Sequence, residues 1–277
     1  MKLITQLTKK LAVLLCLISS FAFTQENEVY ISVMTMYWNM DKEDFSMIDW
    51  RTVESEFHEK VTMKNEYVLS TTTLVHHFTN RSDEVLYVKV YPNWQAINDA
   101  TKREEELIVQ AWPNKTERDV FLSQRSSFYA KEHSDEIYYS IPGSKALEDI
   151  HSPSIYYVRT SHMAFPEDGT NEEFNNLLDQ YNQEVTFQNE FYKGYYSMKH
   201  HSGSDRSEFI EVFVAETLAN LEKGIAKQGE LFKLHWDTQE KSEDFNNKFD
   251  KYYTGVHSDR IYSSVPELYK QMSVEGN

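Results

Sequence analysis

The chain alternates short runs of β-branched and aromatic residues with segments in which apolar residues recur at helical spacing. Residues 28–38 have the composition of a strand. The apolar positions of the next segment lie three or four residues apart: Trp50, Val53, Phe57 and Val61. This spacing predicts an amphipathic helix over residues 49–63. Two strands are predicted to follow, at 67–78 and 85–91, joined by a turn of hairpin length over 79–83.

Two more helices and a short strand complete the first half of this pattern. Apolar spacing predicts a long helix over residues 94–111, which Pro113 closes, and another helix over 117–131. Residues 137–141 are predicted to form the last strand. The predicted order of elements is therefore β-α-β-β-α-α-β.

The second half repeats this order at a constant spacing. The dipeptide His76-His77 returns as His200-His201, 124 residues later (200 − 76 = 124). Other stretches recur at the same offset: Val61-Thr62 as Val185-Thr186, and His133-Ser134-Asp135 as His257-Ser258-Asp259. Matches at one fixed offset over roughly ninety positions indicate a duplicated domain. We expect a first repeat over 25–142, a linker over 143–153 and a second repeat over 154–277, whose last short strand lies at 261–265.

The predicted order is the split β-α-β plan of ferredoxin-like domains with one extra helix. On this order the chain resembles the dimeric α/β-barrel superfamily, with both halves in one polypeptide. That superfamily includes antibiotic-biosynthesis-type monooxygenases and NIPSNAP-like, EthD-like and stress-responsive barrel proteins. The resemblance implies an α+β fold in which tandem ferredoxin-like halves close into one pseudo-twofold α/β barrel. The alternative is two ferredoxin-like domains that share no barrel. No catalytic motif accompanies the resemblance, so it transfers no active site.

The first 24 residues have the pattern of a cleavable secretory signal. Lys2, Lys9 and Lys10 precede an apolar run from Leu11 to Phe23. This run is shorter than the stretch of about 20 residues that a transmembrane helix needs. We therefore expect export to a periplasmic or extracellular location, with no membrane insertion after cleavage. An uncleaved anchor is the alternative.

Charge and cysteine content restrict the partners and the means of stabilisation. The chain has 28 basic and 44 acidic residues, a net charge of −16. Phosphate backbones and anionic lipid surfaces repel such a chain, so we expect no nucleic-acid partner. The only cysteine, Cys16, lies in the predicted signal, which leaves a mature chain without disulfides. About 250 residues are enough to build a core without them. A homo-oligomer is as compatible with this composition as a monomer.

The third strand of each half has two contrasting faces, because alternate residues of a strand point to opposite sides. One face is aliphatic: Leu86, Val88 and Val90, with counterparts Ile210, Val212 and Val214. We expect this face to lie beneath the helices. The other face mixes aromatic and charged residues: Val85, Tyr87, Lys89 and Tyr91, with Phe209, Glu211 and Phe213. We expect this mixed face inside the barrel, either as a sheet-to-sheet interface with one ion pair or as the lining of a ligand site. Arg159, in the middle of a strand, is predicted to pair with Glu211.

The paired histidines are the strongest metal candidates in the sequence. Neighbouring side chains on a strand diverge, so His76 and His77 cannot bind one ion together. A metal site would need one histidine from each half, such as His77 with His201, and further ligands. Imidazole suits zinc, copper, iron or haem. No carboxylate or cysteine lies at ligand spacing, so hydrogen-bonded strand-end residues are the favoured interpretation, and haem or a metal ion stays compatible with the sequence.

The function predicted from these features is binding. We expect an exported module that binds a small apolar or aromatic molecule, or a partner, in or on the barrel. The candidate pocket residues are His76, His77, His200, His201, Tyr87, Lys89, Arg159 and Glu211. One alternative is a monooxygenase-like or haem- or metal-dependent enzyme with His77 or His201 as ligand or base. Another is an interaction protein whose edge strands assemble with a second chain. The His133-Ser134-Asp135 stretch and its repeat are interpreted as a turn, because consecutive residues cannot form a catalytic triad.

Overall fold

A computed structural model describes residues 28–271 of the protein, and the predicted signal lies outside these residues. The strands are β1 (Tyr30–Trp38), β2 (Ser70–Phe78), β3 (Glu84–Tyr91), β4 (Tyr129–Ser140), β5 (Ile155–Met163), β6 (Gly194–Ser202), β7 (Glu208–Ala215), β8 (Tyr253–Ser264) and β9 (Lys270–Gln271). The α-helices are α1 (Met47–Lys60), α2 (Trp94–Ala111), α3 (Lys115–Ser126), α4 (Asn171–Tyr181), α5 (Leu218–His235) and α6 (Gln239–Asp250). No helix in this part of the chain is long and apolar enough to cross a membrane.

Eight strands close into a ring of antiparallel pairs in the order β2-β3-β1-β4-β6-β7-β5-β8, with β8 pairing back to β2. The halves meet at two equivalent junctions. Tyr138 of β4 pairs with His200 of β6, and Tyr262 of β8 pairs with His76 of β2. The closed α+β architecture predicted from the sequence is confirmed, and the alternative of two domains with separate sheets is wrong.

The two halves have the same order of elements. Their bounds correspond closely: β2 and β6 begin at residues 70 and 194, and α2 and α5 begin at residues 94 and 218. Both pairs are separated by the 124 residues at which the sequence recurs. That the halves arose by duplication stays a prediction from the sequence.

The helices begin where polar side chains cap their free amides. Each α-helix described follows a serine, threonine or asparagine that accepts a hydrogen bond from a backbone N–H of the first turn: Ser46, Asn93, Asn114, Thr170, Thr217 and Thr238. Such a cap stabilises a helix by about 1 kcal/mol. Ser46 also explains why α1 begins at Met47, two residues before the predicted start.

The helices cover the outside of the ring, and their large apolar residues pack against the outward face of the strands. Under α1 to α3, Trp50 and Phe57 pack in one cluster with Val85 and Tyr87 of β3. In the second half, Phe174 of α4 packs in the same way on the outward face of β7. The mixed aromatic face therefore lies beneath the helices.

The aliphatic face lies inside the ring, so the predicted assignment of the two faces was wrong. Leu86, Ile210 and Val212 belong to the central cluster enclosed by the strands, with Val88 and Val90 packed against it. An eight-stranded ring leaves a narrow interior, with room for side chains or for one small ligand. Compact aliphatic residues fit this space, whereas broad aromatic rings find matching surfaces on the helices. Alternation revealed two faces but did not reveal which of them was enclosed.

The last strand of each half is longer than predicted. Strands β4 and β8 each span 12 residues, and they replace the short strands predicted at 137–141 and 261–265. Helix α3 ends at Ser126 instead of reaching residue 131. The predicted turn at His133-Ser134-Asp135 lies within β4 and pairs with β1. Pairing with a neighbouring strand holds these polar residues extended, although their composition is typical of turns.

Candidate functional site inside the strand ring

The ring encloses a central cavity of about 380 Å³. Because side chains alternate along each strand, every strand of the ring sends one set of residues into this space. The middle of the cavity is aliphatic and includes Val33, Leu86, Val88, Val158, Ile210 and Val212. The residues come from β1, β3, β5 and β7, so both halves contribute to one apolar wall.

Two tyrosine–glutamate hydrogen bonds cross between the halves at the cavity lining. Tyr138 of β4 donates to Glu208 of β7 over 2.6 Å. Tyr262 of β8 donates to Glu84 of β3 in the same way. The two bonds are equivalent, because each partner has its counterpart 124 residues along the chain. Glu84 is only 4 % exposed, so its carboxylate depends on this tyrosine for a hydrogen bond.

The tyrosines of the lining are neutral hydrogen-bond donors at neutral pH. Burial raises the pKa of Tyr138 and of Tyr262 far above the ordinary value, and the charge of Arg260 offsets only part of this effect. Burial also raises the pKa of Tyr156 and brings that of Tyr269 to about 12. Their hydroxyls can therefore donate to a glutamate or to a bound molecule without releasing a proton.

The equivalent positions 136 and 260 carry opposite charges inside the cavity. Glu136 accepts hydrogen bonds from the backbone N–H and the Oγ of Ser204, both over 2.9 Å. Arg260 is the one cationic side chain among the described residues that line the cavity. Its Nε is buried and has no hydrogen-bond partner among them. The two groups thus differ, because both oxygens of the Glu136 carboxylate accept hydrogen bonds whereas the Nε of Arg260 has no acceptor.

None of the eight candidates predicted from the sequence lies in the cavity lining. Tyr87 and Lys89 point outward beneath the helices of the first half. The Tyr87 hydroxyl shares a short hydrogen bond with that of Tyr129, and Lys89 pairs with Glu104 of α2 over 3.0 Å. The first contact joins two strands and the second joins the sheet to a helix, so both side chains have partners.

Arg159 and Glu211 also lie on the outer face, opposite each other on β5 and β7. The predicted pairing of their side chains is corrected, since Arg159 forms its ion pair with Asp259 over 3.4 Å. Glu211 instead accepts a hydrogen bond from Tyr195 over 2.8 Å. Burial raises the pKa of Glu211, while Tyr195 and the charge of Arg159 oppose this shift.

His76 and His200 occupy the two strand junctions. His76 is the ladder partner of Tyr262 and contacts the Thr79 hydroxyl over 2.8 Å. His200 is the ladder partner of Tyr138, and its Nε2 is buried without a hydrogen-bond partner in the described part of the chain. The two histidines thus lie at equivalent positions, each opposite a tyrosine at the junction between the halves.

His77 and His201 lie in separate side-chain environments. His77 contacts the Ser263 hydroxyl over 2.9 Å. The ring of His201 packs against Tyr30 and Trp94, with centroid distances of 5.1 and 4.6 Å. Within residues 28–271, no group of three or more histidine, cysteine, aspartate or glutamate side chains is placed to hold a metal ion.

The polar residues of the cavity were missed by sequence reasoning although a signal was present. Glu84, Glu208, Tyr138 and Tyr262 recur at the same offset as the histidines, at polar positions within strands. The opposed charges at 136 and 260 directly follow the repeated His-Ser-Asp stretches that were interpreted as turns. Their recurrence marked equivalent polar positions within strands, but it did not show that these positions face one space.

Comparisons with known proteins find similarity in the fold and none in the sequence. No protein-family model matches the sequence, and no curated protein sequence matches it significantly. A candidate monooxygenase from Fusobacterium nucleatum has a similar structure, with a TM-score of 0.53, 13 % identity, and coverage of 86 % of this chain and 93 % of that one. Another candidate monooxygenase, from Lactobacillus acidophilus, has a TM-score of 0.50 and 8 % identity, with coverage of 89 % and 97 %. A chlorite dismutase variant from Candidatus Nitrospira defluvii has a TM-score of 0.49 and 12 % identity, with coverage of 87 % and 93 %, and this likeness is too weak to compare in detail. The first two structures therefore show a shared fold and nothing finer.

Proposed function

We propose that this protein binds a small, largely apolar molecule inside its strand ring. The observation that carries the proposal is the central cavity of about 380 Å³ with an aliphatic middle. Ligand sites in proteins typically have volumes of about 300–1,000 Å³, mostly apolar walls and a few convergent polar groups. The Tyr138 and Tyr262 hydroxyls and the Arg260 guanidinium supply such polar groups here.

The energetics of packing support a ligand. Protein interiors are normally packed to the density of organic crystals. The side chains around an unfilled cavity lose van der Waals contacts, which reduces the stability of the fold. A bound apolar molecule would offset this cost by making van der Waals contacts with Val88, Val158 and Val212.

The amino-terminal sequence supports an exported setting for this binding. Residues 1–24 combine a basic start with a short apolar run, which is the pattern of a cleavable signal. We therefore propose that the ligand is met outside the cytoplasm.

An enzymatic function of the monooxygenase, haem-dependent or metal-dependent type is the alternative. Its support is the name that two similar structures carry, and fold alone is weak evidence for activity. Haem or metal would need a ligating side chain with room beside it. None of the paired histidines lines the cavity, and the unpartnered Nε2 of His200 is buried with no accessible surface. The paired histidines therefore offer no ligand to a group held in the cavity, and we derive no step through one.

An apolar fluorescent probe tests the proposal. We expect N-phenyl-1-naphthylamine to bind the wild-type protein with a stoichiometry of one. In the Val88→Phe/Val212→Phe variant, two phenyl rings enter the cavity from equivalent strands and should weaken binding about tenfold or more. The Val109→Phe/Val120→Phe variant makes the same chemical change at two positions that are 53 % and 63 % exposed, and should bind as the wild type does.

Two outcomes would overturn the proposal. One is a failure of the wild-type protein to bind the probe. The other is equal binding by the cavity variant and the wild type, which would place the probe on the surface. Urea unfolding of each variant establishes that the protein compared is folded.

A further inference from the structure

Resting on the proposed function, we infer that the ligand carries one acidic group and that Arg260 binds it. Arg260 lines the cavity, and its buried Nε has no hydrogen-bond partner among the described residues. A buried Nε–H needs an anionic or strongly accepting partner, because an unpaired buried donor costs free energy. A ligand acid would supply that partner.

The carboxylates of the same lining are held by other groups. Glu208 accepts from Tyr138 over 2.6 Å, and Glu84 accepts from Tyr262. Glu136 is held by Ser204 through two hydrogen bonds. The ion pairs formed within residues 28–271 do not include Arg260, although arginines outside the cavity take part in several. The group that the cavity lacks is therefore an acceptor for the Nε of Arg260.

Strand register places this guanidinium beside the aliphatic middle of the cavity. On β5, Val158 is the ladder partner of Arg260 on one side and of Val212 on the other. A ligand whose apolar body lies against Val158 and Val212 would reach Arg260 with a terminal acid. In the first half the equivalent neighbour of Val33 is Glu136, which repels an acid. The charge difference between the two ends would fix one orientation of the ligand.

The chemistry of the guanidinium defines the ligand class. Its planar fork matches the two oxygens of a carboxylate and forms charge-assisted hydrogen bonds that are stronger than neutral ones. The inferred ligand is a small monoanion with an aliphatic or aromatic body. Because three carboxylates also line the cavity, the rival is a cationic ligand, and the experiment includes one.

Displacement of the fluorescent probe at pH 7 by n-octanoate, n-octanol and n-octylamine separates these possibilities. The three molecules share one hydrocarbon chain and differ in the charge of the head group. We expect octanoate to displace the probe at a concentration about tenfold lower than octanol, which corresponds to one charge-assisted hydrogen bond. In Arg260→Gln this preference should disappear while octanol competes as before, so octanol reports an intact cavity. Arg159→Gln removes a guanidinium outside the ring and should keep the preference.

The outcomes distinguish this inference from the proposed function. If neither the probe nor any of the three molecules binds, the proposed function fails. If octanol binds as well as octanoate, or if Arg260→Gln retains the preference, the cavity binds ligands but the assignment of Arg260 is wrong. Stronger competition by octylamine would assign the selectivity to Glu84 and Glu208 instead.

Discussion

At the residue scale, two equivalent tyrosine–glutamate hydrogen bonds link the halves. Each joins a strand of one half to a strand of the other and faces the cavity. The carboxylate of Glu84 is nearly inaccessible, whereas that of Glu208 is half-buried. The two bonds therefore have the same chemistry in environments of different polarity.

We expect Tyr262→Phe to lower the free energy of unfolding by about 1–3 kcal/mol, because it leaves the buried Glu84 carboxylate without its donor. Tyr138→Phe is the matched control and should cost less, since water can reach Glu208. Urea titrations followed by circular dichroism measure both changes. Equal midpoints for the two variants would contradict the importance assigned to the burial of Glu84.

Lys199 gives a pH dependence at the same scale. This lysine of β6 is 9 % exposed, lies over the ring of Phe174 and has a pKa lowered by burial to about 8. Its counterpart in the first half is Val75. Below pH 8 the lysine is charged in both the folded and the unfolded chain, so the whole cost of burying the charge is present. Between pH 8 and the unfolded value of 10.5 the unfolded chain binds more protons, and the cost disappears as pH rises.

Lys199→Met should therefore raise the free energy of unfolding at pH 7 by about 1–2 kcal/mol. This gain should decrease through pH 8 and vanish near pH 10.5, as measured by urea unfolding at a series of pH values. Lys233→Met on the exposed face of α5 is the control and should show neither effect. A gain that does not change with pH would assign the stabilisation to packing.

At the element scale, the turn between β6 and β7 depends on one glycine. Gly203 has a φ of +145°, and a Cβ placed on it would lie 1.4 Å from an oxygen of Glu136. The glycine thus lets the backbone approach closely enough for Glu136 to hold Ser204. Gly229, within α5, would place a Cβ in open space.

The two glycines predict opposite effects of one substitution. We expect Gly203→Ala to destabilise the protein by about 1–3 kcal/mol through the clash and the loss of the Glu136 hydrogen bonds. Gly229→Ala should stabilise it by up to about 1 kcal/mol, because alanine is the better helix former. Thermal unfolding of both variants checks the pair. A neutral Gly203→Ala would show that Glu136 does not hold this turn.

Sequence periodicity predicted the order of elements, because amphipathic helices and β-branched strands leave local patterns. It failed where non-local pairing decides the outcome. Residues such as His133 are extended because β4 lies beside β1, and no local feature of their sequence indicates that partner. The inward face of β3 was misassigned for a related reason, since Leu86 and Tyr87 are both apolar enough to be enclosed. Which of them faces the ring depends on how the eight strands close.

At the scale of the whole molecule, the closed ring joins the halves into one sheet. Pairing of β4 with β6 and of β8 with β2 means that neither half can lose its strands without breaking both junctions. We therefore expect a single cooperative unfolding transition.

Tryptophan positions allow this cooperativity to be measured. Four of the five tryptophans lie in the first half, and Trp236 lies in the second. In Trp236→Phe, fluorescence reports on the first half alone, while circular dichroism reports on the whole chain. Coincident urea transitions from both signals are expected. A fluorescence transition displaced from that of circular dichroism would mean that the halves unfold separately.

The candidate site was less predictable from the sequence than the fold. A pocket residue is defined by which strands face one another, and Glu84 meets Tyr262 across 178 residues of chain. The repeat placed these residues at equivalent positions without indicating that the positions face one space. Binding stays a prediction, and the residues proposed for it lie in the interior instead of on the outer face.

The most direct test of the central claim is a crystal structure of the protein soaked with 8-bromooctanoate, in which anomalous scattering locates the bromine. We predict one bromine inside the strand ring, in contact with the aliphatic wall that includes Val88 and Val212, and a carboxylate directed to Arg260. Bromine found only on the outer surface, around an interior filled by side chains, would contradict it.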